Sequence, residues 1–199
     1  MYEFIEGSIA GLTPAYAIIQ TGGLGYNINI SLNTYTQISD FQKNNPTGKV
    51  KLNLHMVVRE DAHLLFGFFT DHERNLFRLL ITVSGIGANT ARMMLSSLSP
   101  AELQKAIAEG NVSQLQGVKG IGLKTAQRVI VDLKDKIGQE GPFNEKFLQP
   151  NNTIKEEALS ALVTLGFSKP SVEKMLDKLL ASKPGLSVEE LIKLTLKNI

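Results

Sequence analysis

Two near copies of a twelve-residue pattern, VSGIGANTARMM (83–94) and VKGIGLKTAQRV (118–129), start 35 residues apart, with six of twelve positions identical. Each places Gly-Ile-Gly just where a helix should begin. Gly85 and Gly87, and again Gly120 and Gly122, allow backbone conformations closed to residues with a Cβ and let another surface approach the main chain. Ile86 and Ile121 are the side chains that can anchor each corner in a core. Amide N–H groups at the start of a helix have no intrahelical acceptor and carry partial positive charge. Each corner is therefore an anion site made from main chain alone. Lys124 and Arg128, four apart on one face of the second helix, add charge there. In the first copy Asn89 holds the lysine position and Arg92 is the nearest cation.

The pattern is not a nucleotide loop. Leu123 separates Gly122 from Lys124, which breaks the Walker spacing, and the polar SQLQ before the second copy is no strand. A third glycine for a dinucleotide fingerprint is missing. Two tandem units between helices can instead pair about an approximate twofold. That arrangement suits the two phosphate strands beside a DNA minor groove, and contacts to backbone position a duplex without reading its sequence.

Around the repeats the chain changes character. Residues 1–69 read as five strands: FIEGSI, AYAIIQ, YNINI, KVKLNLHMVV and HLLFGFF, with TGGLG as a turn. Val50, Leu52, Leu54, Met56 and Val58 share one face, and Leu32, Tyr35, Ile38 and Phe41 recur at helical spacing between the third and fourth strands. That order matches an OB-fold barrel, with Tyr2, Phe4, Tyr16 and Tyr26 expected in its core. Residues 70–137 read as helices. Asp71 is a candidate N-cap before Leu76, Leu79, Leu80 and Val83; Ser99, Pro100 and Glu102 form a capping box, and Gly110 ends that helix.

Residues 138–152 break every periodicity with Gly, Pro and Asn and read as a flexible linker. Residues 153–199 read as three short helices. Their apolar stripes are Ala158, Leu159, Leu162 and Leu165; Val172, Met175, Leu176 and Leu179; and Val188, Leu191, Ile192 and Leu196. Capping boxes run from Thr153 to Glu156 and from Ser187 to Glu190. So small a module on a tether is an interaction domain in outline.

Charge follows the same division. Residues 70–137 carry nine Lys/Arg against six Asp/Glu, whereas residues 1–69 carry four against five. The positive excess lies with the glycine corners, as an anionic partner requires. The chain has no cysteine, which excludes disulfides and thiolate metal sites. No signal peptide or membrane span is expected, and the cytoplasm is the expected compartment.

The tandem corners look like the helix-hairpin-helix repeat of DNA-binding proteins. With the barrel, the linker and the terminal module, the whole chain resembles the RuvA family, the Holliday-junction-binding subunits of a bacterial branch-migration complex. VVREDAHLLFGF (57–68) is the most specific match outside the corners. The resemblance implies an α+β multidomain fold: OB-fold barrel, tandem helix-hairpin-helix domain, and a UBA-like three-helix C-terminal domain. It implies DNA contacts at Gly85, Ile86, Gly87, Asn89, Thr90 and Arg92, at Gly120, Ile121, Gly122, Lys124, Thr125 and Arg128, and at Arg59.

Glu60 and Asp61, by themselves an ordinary polar strand connection, become an acidic pin. The family resembles a homotetramer around an open four-way junction, so four copies would bring eight negative charges near converging phosphates. Tetramer and octamer both remain open. The implied partners are the ATPase motor RuvB and the resolvase RuvC. The chain itself is expected to be non-catalytic, with no cofactor or metal. Leu165, Gly166 and Phe167 are the expected motor contact. The family pattern has lysine where this chain has Asn89, which makes the two corners unequal in charge.

Two other classes compete. A base-excision or nuclease-type enzyme would need a catalytic lysine, aspartate or metal cluster, and His55, His63 and His72 are scattered. A single-strand binder would use the barrel's aromatic residues as stacking platforms.

Overall fold

A computed structural model describes residues 2–139, 153–182 and 185–198. The first unit opens with five strands, β1 (Phe4–Leu12), β2 (Tyr16–Thr21), β3 (Leu24–Ile30), β4 (Val50–Val58) and β5 (His63–Phe68), closed as a barrel in the order β1-β2-β3-β5-β4. Only β3 and β5 pair in parallel among these neighbours, with Ile28 opposite Leu65. Alternation drives the closure: Ile5, Ala17, Ile19, Ile28, Ile30, Val50, Leu52 and Leu54 point inward and are buried.

The inward face of β4 fades toward its end. Val58, expected to share it, is 59% exposed, because the strand runs past the barrel into the β4–β5 hairpin. Tyr2, Phe4 and Tyr16, expected in the core, are also exposed. Phe4 lies outside under the Lys51 ammonium, 4.3 Å from its ring centroid.

Helix α1 (Leu32–Asn44) spans the gap between β3 and β4. Ser31 caps it, accepting from the Thr34 amide at 3.0 Å. Leu32 is exposed and Thr34 is buried in its stead. The reason is polar: the Ser31 and Thr34 hydroxyls both donate to the buried carboxylate of Glu73 on the next helix. Burial raises the pKa of Glu73, and those two hydrogen bonds oppose the shift.

Five helices follow: α2 (Asp71–Leu80), α3 (Ala88–Ser97), α4 (Pro100–Glu109), α5 (Val112–Gln116) and α6 (Leu123–Gln139). The cap of α2 is Thr70, whose hydroxyl accepts from the Glu73 amide at 3.2 Å. Asp71 lies one residue inside and turns to Arg74 and Asn75. The Ser99–Glu102 capping box and the left-handed Gly110 bound α4 as expected. The SQLQ stretch forms the single short turn α5, capped by Asn111. Helix α6 runs to Gln139, so residues 138 and 139, expected at the start of a linker, are helical; residues 140–152 lie outside the described residues.

Barrel and helices are not separate bodies. Phe66 and Phe68 of β5 belong to the same buried cluster as Leu80, Met94, Ile107, Val129 and Ile137. Phe77 is its hub, with ring centroids 5.2 Å from Phe66 and 4.9 Å from Phe68. Arg74, nearly buried, donates to the Glu3 carbonyl at 2.9 Å, and Asn33 donates to Leu98 O at 3.1 Å. The orientation of the hairpins relative to the barrel is thus fixed by one apolar core and several charged or polar ties.

The second unit holds α7 (Thr153–Thr164), α8 (Lys169–Ser182) and α9 (Val188–Asn198). Ala158, Leu162, Val172, Leu176 and Leu191 are its buried centre. The Ser187–Glu190 box is formed, whereas the side chains of Thr153 and Glu156 lie outside the described residues. Gly166 (φ +98°) ends α7 in a Schellman-type turn, with Phe167 N–H donating to Leu162 O at 3.1 Å. That turn sends Phe167 into the core and Leu165, expected on the buried stripe, outward at 62% exposure. On α9, Thr195 is buried and Leu196, expected in the core, is exposed; the Thr195 hydroxyl bonds the Leu191 carbonyl at 2.7 Å, which lets a polar residue occupy the core position.

Candidate nucleic-acid interface

The two glycine corners have one backbone design. Ile86 N–H donates to Val83 O at 3.0 Å, and Ile121 N–H to Val118 O at 3.1 Å. The third residue of each turn has positive φ, +93° at Gly85 and +91° at Gly120. Glycine is the residue that takes such a position without strain. Val83, Ile86, Val118 and Ile121 are buried and seat both turns in the shared core.

The second glycine does other work. Gly87 has ordinary extended geometry as the N-cap of α3, with no side-chain hydrogen bond to cap the helix. A Cβ built on any of the four corner glycines meets nothing within 4 Å. These corners face open space, so a ligand can reach the first-turn amides of α3 and α6. Ile86 and Ile121, expected among the DNA contacts, are core anchors that hold the corners in place.

Side chains distinguish the copies. Asn89 and Lys124 are exposed, and Thr90 and Thr125 are half-buried in the first turns of α3 and α6. Arg92 leans back to the barrel and donates to the Ala15 carbonyl at 2.8 Å. Arg128 reaches from α6 to the first corner, donating to Ser84 O at 3.1 Å and Ser84 Oγ at 3.2 Å. Sequence spacing alone groups Arg92 with the first corner and Arg128 with the second. Lys119, exposed beside Gly120 at the position matching Ser84, is a further cation of the second corner that the helix spacing does not single out, although the VKGIG string shows it.

Arg59, Glu60 and Asp61 lie at the tip of the β4–β5 hairpin. Val58 pairs with His63, and Arg59 N–H donates to Ala62 O at 2.9 Å to close the turn. All three side chains are exposed, and neither carboxylate has an ion pair among the described residues. Their charge is available to whatever approaches the tip. His55, on the same strand, is half-buried against Phe77; burial and then the Arg78 and Arg74 charges lower its pKa. It is a packing residue against Phe77.

Leu165, Gly166 and Phe167 lie in the second unit. Leu165 and Gly166 are exposed, while Phe167 is half-buried in the module's own core.

Comparison with known proteins accounts for nearly the whole chain. Residues 1–67 match the RuvA N-terminal domain, residues 77–135 a SAM-like helix-hairpin-helix tandem, and residues 153–199 the RuvA C-terminal domain. A relative from Christiangramia forsetii is 47% identical over 199 residues, covering all of both chains. The chain belongs to the RuvA family. Another relative, from Parabacteroides distasonis, is 49% identical over 201 residues and 99% of each chain; one from Bacteroides fragilis strain YCH46 is 48% identical over 207 residues, covering both fully. Each is named Holliday junction branch migration complex subunit RuvA. Both glycine corners lie within the matched helix-hairpin-helix tandem, and no described helix is long and apolar enough to cross a membrane.

Proposed function

We propose that this chain binds four-way DNA junctions without reading sequence and holds them open for branch migration. The observation that carries this is the pair of matched glycine corners with open faces, in a chain of RuvA family membership. Main-chain amides at Gly87–Thr90 and Gly122–Thr125 grip phosphates, helped by Lys124 and Arg128, while Arg92, implied as a contact by the resemblance, is held at the Ala15 carbonyl. Arg59 touches DNA near the crossover. Glu60 and Asp61 repel converging phosphates and keep strands apart, because like charges in a confined space are poorly screened. Attraction at the rim with repulsion at the centre favours a junction over plain duplex.

A homotetramer, alone or as two facing tetramers, would place four such tips at the crossover. The chain is a non-catalytic scaffold of the cytoplasm, and the work of migration comes from the ATPase motor RuvB. The C-terminal module recruits that motor through the exposed Leu165 face; RuvC is the resolving partner.

A salt-series gel shift with four-way junction, duplex and single strand tests the reading. The expected order is junction well ahead of duplex. Equal affinity for the two defeats it. Preference for single strand would favour stacking on the exposed Tyr2, Phe4 and Tyr16 instead.

A further inference from the structure

The two corners share a backbone but not a charge supply. The second has its own cations, Lys119 and Lys124, both exposed. The first has Ser84 and Asn89 at the matching positions. Its nearest cation by sequence, Arg92, is turned to the Ala15 carbonyl of the barrel. The guanidinium that stands at the first corner belongs to Arg128, whose Nη1 donates to both Ser84 oxygens. Those bonds use one nitrogen, and the planar fork of arginine keeps further donors on Nε and Nη2. The position matching Arg128 in the first copy is Met93, so the first copy returns no cation in exchange.

We propose that Arg128, although part of the second motif, is the phosphate-binding cation of the first corner. It lends that corner the charge that Asn89 lacks and couples the two motifs through Ser84. This rests on the DNA-gripping reading of the corners. It adds that the absence of a lysine from one repeat is offset by an arginine from the other. The corners are therefore one binding unit, not two independent ones.

Ethylation interference on a synthetic four-way junction with the full-length chain locates the phosphates that matter. Arg128→Gln, Asn89→Asp and Lys124→Gln are exposed substitutions that leave the core intact. Arg128→Gln and Asn89→Asp are expected to change sensitivity at the same phosphates, and Lys124→Gln at a different set. Arg128→Gln should also lower the salt slope of binding by about 0.9 for each phosphate it no longer neutralises. Asn89→Lys placed in the Arg128→Gln background should restore both slope and pattern. Coincidence of the Arg128→Gln pattern with that of Lys124→Gln overturns the cross-motif assignment while leaving the corners as DNA contacts. An unchanged pattern in Arg128→Gln alone overturns it too. Unchanged patterns in all three variants would remove the corner reading itself, and this inference with it.

Discussion

The first and second glycine corners have nearly the same turn and very different surfaces. Their positive-φ glycines, at +93° and +91°, nearly coincide, and their core anchors are Val-Ile in both. Around that frame, one corner shows Ser84 and Asn89 and the other Lys119 and Lys124. The contrast separates what backbone geometry requires from what charge adds. Amides at a helix start bind an anion in either setting, whereas lysine or arginine sets how strongly binding depends on salt.

The largest test of that separation removes the shared part. Gly85→Val with Gly120→Val forces a β-branched residue into a left-handed position, at about 1–2 kcal/mol per site before any weakening of the phosphate grip. Junction binding should fall by more than about a hundredfold, in gel shifts on protein whose thermal unfolding is checked in parallel. Equal binding by this double variant would show that amides are not the grip. A smaller effect comes from the part that differs. Lys119→Gln with Lys124→Gln should weaken binding at moderate salt and reduce the salt slope by roughly 0.9 for each phosphate left without its cation. An unchanged slope would move the charge contribution elsewhere.

Glu60→Gln with Asp61→Gln probes the repulsive counterpart. Junction affinity should hold or rise, and preference over duplex should shrink; a marked drop in junction binding would contradict repulsion. The smallest effect concerns one of the polar ties between barrel and helices, the bonds from Ser31 and Thr34 to Glu73. The buried Glu73 has a raised folded pKa, so its ionisation is less favourable in the folded chain. The folded state then holds its proton to higher pH than the unfolded one, and stability declines as pH rises from the unfolded value of about 4.3 through the folded one. Glu73→Gln should flatten that part of the stability–pH curve in thermal melts from about pH 4 to 7. An unaltered slope would mean the carboxylate is not in a desolvated site.

Periodicity makes the five strands, the helix after the third and the terminal helices legible, because half-buried elements must alternate or repeat. The glycine corners are legible for a similar reason: two copies share spacing that only a repeated backbone shape explains. What escapes is long-range. Ser31, Thr34 and Glu73 are ordinary polar residues separated by up to 42 positions, yet they meet in a buried cluster. Phe77 falls outside the apolar stripe of Leu76, Leu79, Leu80 and Val83, although it joins barrel to hairpins. Sequence neighbourhood places Arg128 at the second corner, since spacing along one helix cannot show that its guanidinium crosses to Ser84. Leu165 and Leu196 fit an apolar stripe by spacing, but a Schellman turn and a buried Thr195 put them outside.

Amide hydrogen exchange on the free chain and on its junction complex examines the main-chain grip most directly. Slowed exchange is expected at both 87–90 and 122–125 when the junction binds, with the stronger salt sensitivity at the second stretch. Unchanged exchange at both, with new protection confined to the outer face of the barrel around Phe4 and Tyr16, would contradict it.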